Sequence, residues 1–273
     1  MRWLQKLGVH AALILYTLVA ISPVLLIVMN SFKNRRAIFQ SPLSFPTQET
    51  FDLVGYETVF DRSAFHLYFG NSLIVTIVSL LLILLAGSMA AYALAEYRFK
   101  GNTFLGLYMA VGIMIPIRLG TVVLLKMLVA LSPPSPLISL VLIYTASGLP
   151  LAVFVLSQFM RQVPKELKDA ARVDGASEYR IYWMTLPLVR PAIGTVMVIN
   201  MIPIWNDLWF PLLLASAPES RTVILGAQIF LGQFVSDWNA VLSSLTLSML
   251  PVIVLYFIFS RQLIRGLTAG AVK

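Results

Sequence analysis

Cysteine is absent from this 273-residue chain and histidine occurs twice. Disulfides and thiolate metal sites are therefore excluded, although nothing firm follows about redox compartment. Charge is scarce too: Asp, Glu, Lys and Arg together make up 12% of the residues, about half the share of an ordinary soluble domain. No glycine precedes a lysine, so the phosphate-cradling G-x4-G-K-[ST] loop is missing and ATP cannot be hydrolysed by this chain in that way. Neither H-E-x-x-H nor G-x-S-x-G is present, and Gly175-Ala176-Ser177-Glu178-Tyr179 stops one glycine short of the second. No catalytic residues and no metal ligands are expected. Internal repeats and low-complexity tracts are also lacking.

What the chain does have is apolar length. Hydrophobic residues make up 59% of it, in runs long enough to cross a hydrocarbon core, which takes roughly 20 helical residues. Six runs qualify, at about 11–30, 70–94, 104–130, 137–159, 188–214 and 241–261. Backbone amides in lipid must bond within their own segment, so these runs are helices. The expected fold is an all-α integral membrane protein with six transmembrane helices. The first run is longer than a signal-peptide core and has no clear small-residue cleavage site, so it is expected to stay as an anchor.

Orientation follows from the distribution of Lys and Arg, which cytoplasmic loops retain. Placing the amino terminus, loops 95–103 and 160–187 with Arg190, and the carboxyl terminus inside collects 13 cations. The opposite face collects five: Lys33, Arg35, Arg36, Arg62 and Arg221. Around the first run alone the bias is reversed, but the total draws on every loop and puts both termini in the cytoplasm. The net charge of +8 is thus largely an orientation signal. No soluble face clusters basic with aromatic residues, and no nucleic-acid partner is expected.

The expected organisation is residues 1–66 as first span plus external loop, 67–262 as a five-helix core, and 263–273 as a cytoplasmic tail. Asn71 and Ser72 are plausible caps of the second span. The loop from Leu131 to Pro136 carries three prolines and no charge, as befits a short external hairpin, and the chain turns polar again from Ala215 to Asn239.

One cytoplasmic segment, 161–187, is unlike the rest, with nine charged residues between Arg161 and Arg180. Pro164 suits a helix start, and Val163, Leu167, Ala170 and Ala171 fall on one face. Lys165, Glu166, Lys168, Asp169 and Arg172 take the other. Asp174-Gly175 supplies a turn and Ser177 can cap a second short helix. The segment reads as a helix-turn-helix docking surface outside the bilayer, or else as a solvated amphipathic loop with no partner.

Ionisable groups within the apolar runs each cost at least ~2.5–3.5 kcal/mol at mid-membrane and usually face a cavity or a partner. Arg118 and Lys126 lie in the third run, just after the helix-disturbing Pro116, and Asp207 lies in the fifth. Counting ~1.5 Å per residue from the cytoplasmic helix starts puts Arg118 and Asp207 at similar depth, roughly 21 and 25 Å, so they are expected to border a cavity and to pair. Lys126 reads better as a snorkelling lysine. Trp205, Asn206 and Trp209 suit stacking on a sugar ring and bonding its hydroxyls; the tryptophans fit equally as interfacial anchors.

Asp169-Ala170-Ala171, Gly175 and Leu186-Pro187 resemble the EAA loop of membrane subunits of bacterial ATP-binding-cassette importers. Asp169 stands where that family usually has Glu, and the step from Gly175 to Leu186-Pro187 is one residue shorter. Phe51-Asp52-Leu53-Val54-Gly55-Tyr56, Ala90-Ala91-Tyr92-Ala93-Leu94-Ala95 with Arg98-Phe99-Lys100-Gly101, Trp205-Asn206-Asp207, and Asp237-Trp238-Asn239 through Lys273 are similar to the carbohydrate permeases of maltose type. The resemblance covers nearly the whole chain. It implies a type I importer permease fold and a pore-forming subunit of a binding-protein-dependent carbohydrate importer in the bacterial inner membrane. Its partners would be a second permease, a cytoplasmic ATPase dimer, an extracytoplasmic solute-binding protein, the sugar and the lipid bilayer. ATP and Mg would be bound by the ATPase, leaving this chain without a cofactor. The ATPase would meet Glu166, Asp169, Ala170, Ala171, Arg172, Asp174 and Gly175. The solute pathway would involve Arg118, Trp205, Asn206, Asp207 and Trp209, and the segment Gln228 to Trp238 would either face the binding protein or serve as an inert connector. A polyol, glycerol phosphate or amino acid is the alternative cargo. A proton- or sodium-driven carrier and a membrane enzyme are the rival classes.

Overall fold

The computed structural model describes residues 2–232 and 236–269. Residues 233–235 of the expected binding-protein segment and 270–273 of the expected tail lie outside the described residues. Thirteen α-helices are formed among those described: α1 Arg2–Ser31, α2 Arg35–Gln40, α3 Val54–Arg62, α4 Phe65–Glu96, α5 Asn102–Met114, α6 Thr121–Leu131, α7 Pro136–Gln162, α8 Lys165–Val173, α9 Glu178–Thr185, α10 Arg190–Trp205, α11 Trp209–Leu214, α12 Val223–Ala227 and α13 Trp238–Ala269. No β-strand occurs among them. The protein is all-α, and five of its helical stretches are long and apolar enough to cross a membrane, or six when a bent pair counts as one span.

That bent pair is the third expected run, and the disturbance at Pro116 is a full break in it. α5 ends at Met114, Ile115 and Pro116 are extended, a 3₁₀ turn covers Ile117–Gly120, and α6 leaves at 90° to α5. Pro116 has no N–H to give to the helix ladder and disfavours helical geometry at Ile115, which places the break there. The fifth span is also displaced from its expected bounds. It runs through α9, a 3₁₀ turn at Leu186–Val189 and α10, from Glu178 to Trp205. The chain then leaves the helix at Asn206 before the short α11, so Asp207 lies beyond the span and not inside one. The second span begins at Phe65, which puts Asn71 and Ser72 within α4 and not at its cap. Asn71 instead donates through Nδ2 to the carbonyls of Glu219 (3.0 Å) and Arg221 (2.9 Å).

The chain forms two compact units, residues 1–69 with 223–250 and residues 70–222 with 251–273. In the first, α1 leaves its side chains uncovered from Lys6 to Leu25, as an apolar helix in lipid can. The stretch after it is no plain loop. Asn34 caps α2, accepting from the Ala37 amide at 3.0 Å. Lys33, counted as an external cation, is fully buried (0% exposed) and donates to Asn30 Oδ1 (3.0 Å) and the Ser41 carbonyl (2.9 Å); burial lowers its pKa. Asn239 on α13 donates to the Lys33 carbonyl at 2.7 Å. A Cβ at Gly55 would come within 2.4 Å of the Asn239 carbonyl oxygen, so α3 can approach α13 this closely only through a glycine.

In the second unit the core is built from α4, α7, α9 and α10, with Ile83, Leu140, Ala152, Leu156, Ile181, Ala192 and Val196 essentially fully buried. Small residues set the spacing. At Gly148 of α7, an added Cβ would lie 2.4 Å from Ile83 Cδ1 on α4 and 2.5 Å from Asn200 Oδ1 on α10. Gly148→Leu should overpack this crossing and destabilise the unit by about 1–3 kcal/mol. Thermal unfolding of the detergent-purified variant measures that loss.

Candidate functional site

Two places in the second unit combine built geometry with polar chemistry. The first is the charged segment. α8 and α9 form the expected pair of short helices, and α8 ends in a tight reversal. Gly175 takes the left-handed conformation (φ +78°). Its amide donates to the Arg172 carbonyl at 3.0 Å and the Ala176 amide to the Ala171 carbonyl at 2.9 Å, the paired bonds that close a helix on a left-handed glycine. Ser177 then caps α9 by accepting from the Arg180 amide.

The faces of α8 differ from the amphipathic expectation. Its buried residues are Lys168 and Ala171, whereas Leu167, Ala170 and Val173 are exposed. The cause is an ion-pair cluster that sequence reasoning missed. Glu96, the last residue of α4, receives Lys168 Nζ on one carboxylate oxygen and Arg172 Nη2 on the other at 2.7 Å. The Lys168 and Glu96 side chains are only 7% and 10% exposed. Arg172 also meets Glu178 Oε1 through Nε at 2.8 Å and Asp169 Oδ1 through Nη1 at 2.8 Å. Tyr97 and Tyr92 donate hydroxyls to Glu178 Oε2 at 2.9 and 3.2 Å. Glu178 and Glu96 together raise the Arg172 pKa, holding it firmly charged, while burial and the bond to Glu178 raise that of Tyr97. Glu166, Asp169, Ala170, Asp174 and Gly175 are exposed, Arg172 is half-buried and Ala171 is buried. Five of the seven expected docking residues are thus open to a partner, and Ala171 is not. The missed signal was Glu96 itself, a lone carboxylate ending an apolar helix beside Arg98 and Lys100.

The second place is a cavity of about 440 Å³ lined by Ile117, Arg118, Tyr144, Ser147, Asn200 and Asn206, with Asp207 and Phe210 among the rest. It lies where the third span breaks at Ile115 and Pro116 and where the chain leaves α10 at Asn206, so non-helical backbone and polar side chains border it. Asp207 Oδ1 accepts from the Trp209 amide (3.2 Å), and Oδ2 accepts from the Phe210 amide (3.1 Å) and the Tyr144 hydroxyl (2.8 Å). The first two bonds cap α11; the third ties it to α7. Arg118 Nη2 stands 3.6 Å from Asp207 Oδ1, the two side chains being 68% and 8% exposed. The expected pair is therefore formed but lopsided: Asp207 is committed inward and Arg118 faces the open space. Asn200 is buried on α10 and donates to the Val196 carbonyl at 2.9 Å.

Of the expected pathway residues, Arg118, Asn206 and Asp207 line this cavity. Trp205 does not. It is 2% exposed, because the last turn of α10 still packs inward, and so it offers no ring face to a solute. Trp209 is half-exposed and donates its indole N–H to Thr121 Oγ1 at 3.1 Å, bracing α11 against the start of α6. Tyr144 and Asn200 were missed because a single Tyr or Asn in an apolar run carries no spacing signal.

Comparison with known proteins gives a consistent result. The family described as binding-protein-dependent transport system inner membrane component matches residues 83–269. A Caldicellulosiruptor protein named as an ABC transporter permease is 35% identical over 263 residues, covering 96% of this chain and 94% of its own. The diacetylchitobiose uptake system permease of Streptomyces coelicolor is 30% identical, covering 97% of this chain and 88% of its own. Among solved structures, a bacterial ABC transporter involved in the import of the acidic polysaccharide alginate matches with TM-score 0.79 at 20% identity, over 96% of this chain and 98% of that one. That likeness speaks to the fold.

Proposed function

Because the chain belongs to the family of binding-protein-dependent transport system inner membrane components, we propose that it is one of two pore-forming permease subunits of an ATP-driven importer of sugars or oligosaccharides. A second permease completes the pore, an extracytoplasmic binding protein delivers the solute, and a cytoplasmic ATPase dimer holds ATP and Mg. The chain lies in the bacterial inner membrane with both termini cytoplasmic, which the distribution of Lys and Arg supports. When the ATPase dimer closes it pushes on α8, and the core helices turn as rigid bodies so that the cavity opens outward. Such coupling requires an element with two arrangements biased from both ends, and the helix bundle is that element.

The observation that carries this reading is α8 itself. A nine-residue helix presents Leu167, Ala170 and Val173 outward while two of its cations are drawn onto the end of a membrane span. Exposed apolar side chains on an otherwise charged helix suit insertion into a partner's cleft. The sugar assignment is supported by the named cargo of the diacetylchitobiose relative and by a cavity bordered by amide, hydroxyl and guanidinium groups. The ion-driven carrier is disfavoured because Asp207, the acid that borders the cavity, is already occupied by Tyr144, two backbone amides and Arg118.

Co-expression with a partner permease, ATPase and binding protein, followed by reconstitution into proteoliposomes, tests the reading. Uptake of oligosaccharide is expected only with ATP inside and binding protein outside. Accumulation of solute against its gradient by this chain alone would overturn it.

A further inference from the structure

The ion-pair cluster at the root of α8 has a geometry beyond what docking requires. Lys168 and Arg172 are one turn apart on one face, and both reach the same carboxylate, each taking a different oxygen of Glu96. Attachment at one point would let α8 pivot. Attachment at two points, about 6 Å apart along the helix, fixes both its position and its rotation about its own axis. Glu178 adds a hold from α9 through one residue, since Arg172 Nε and Nη2 approach its two oxygens at 2.8 and 3.3 Å. The polypeptide alone cannot do this. On one side α8 is joined to α7 through Val163-Pro164, and on the other it meets α9 through the Asp174-Gly175 turn.

We propose that Glu96 is a positioning residue for transport: it locks α8 to the cytoplasmic end of α4, so that a push on α8 turns α4 as one piece. Thrust then enters the bundle along a 32-residue helix, and not only through the chain links at either end of α8. Just past mid-helix on the Glu96 side, α4 presents Ile83 to Gly148 of α7, which also abuts Asn200 of α10, so its rotation reaches the packing of two helices that line the cavity. Lys168 is buried for the same reason. A lysine that merely solubilised α8 would extend into water, whereas this one is almost covered and spends its charge on Glu96. The inference rests on the proposed transport function for its consequence, but the lock itself is a property of this chain.

The test uses Glu96→Lys, Lys168→Glu and the double variant. In the full chain in lipid nanodiscs, amide hydrogen exchange across residues 165–185 should rise at least tenfold in either single variant and return in part in the double variant, where the first pair is re-formed with signs exchanged while Arg172 keeps only Glu178 and Asp169. In the reconstituted transporter each single variant should hydrolyse ATP while uptake per ATP falls at least fivefold, and the double variant should recover part of that loss. Unchanged exchange in the single variants would overturn the lock. Faster exchange with normal uptake per ATP would overturn the positioning role. Failure of the wild-type assembly to transport would count against the proposed function, and the exchange experiment would still decide whether Glu96 holds α8.

Discussion

Gly175→Arg is expected to leave the protein in the membrane at near-normal level and to reduce ATP-driven uptake by more than tenfold. The reason is conformational. Gly175 sits at φ +78°, and an added Cβ would have no atom within 4 Å, so a larger side chain meets no obstacle in the protein itself. What it meets is the backbone penalty of the left-handed region, roughly 1–2 kcal/mol for a residue with a Cβ. The chain can relieve that penalty by opening the two closing bonds, from the Gly175 and Ala176 amides to the Arg172 and Ala171 carbonyls. Doing so tilts α9 away from α8 and pulls Glu178 off Arg172. Gly175→Asn relieves this penalty, since asparagine tolerates the left-handed region better than other L-residues. It should retain most uptake where Gly175→Arg loses it. Membrane-fraction yield and uptake by the two variants provide the comparison; equal uptake in both would show that the turn does not set the working angle of α8 and α9.

How much of this was legible beforehand depends on the physical range of each feature. Local features could be read: Ser177 as a cap, Gly175 as a reversal, Pro116 as a disturbance and the charged helix pair all depend on neighbours within one turn. That Arg118 and Asp207 would meet was also readable, because an ionisable group in an apolar run seeks a partner, but their heights were not, since the chain breaks at Ile115 and Pro116 before it reaches Arg118. Features that join distant segments could not be read. Glu96 and Lys168 are 72 positions apart, and pattern alone put Lys168 on the solvent face because a lysine on an amphipathic helix usually belongs there. Apolar character likewise could not tell that the fifth span ends at Trp205. The run 188–214 is mostly hydrophobic on both sides of Trp205, and what starts a separate helix after it is the side chain of Asp207 accepting from the amides of Trp209 and Phe210. The same hydrophobicity hid the burial of Trp205, since a tryptophan near a span end fits an interface anchor, a sugar platform or a core residue equally well.

The lopsided geometry at the cavity leads to an unequal outcome for two substitutions that a simple ion pair would make equivalent. Asp207→Ala should lower the unfolding temperature by several degrees and reduce the folded yield, because it strips acceptors from the Tyr144 hydroxyl and from the Trp209 and Phe210 amides at once. A buried donor left unsatisfied costs about 1–3 kcal/mol, and loss of a helix cap typically costs about 1 kcal/mol. Arg118→Ala should change stability little, since a guanidinium that is 68% exposed and 3.6 Å from its partner contributes about 0–1 kcal/mol. Its effect belongs in transport, as a raised half-saturation for uptake, if the exposed guanidinium bonds the passing solute. Asp207→Asn should fall between the two, keeping an acceptor for the backbone amides while giving up charge. Differential scanning of the three purified variants, alongside uptake in proteoliposomes, checks the ordering. Equal destabilisation by Arg118→Ala and Asp207→Ala would mean that the pair itself stabilises the site; the unequal result would mean that Asp207 builds the cavity wall and Arg118 serves what passes it.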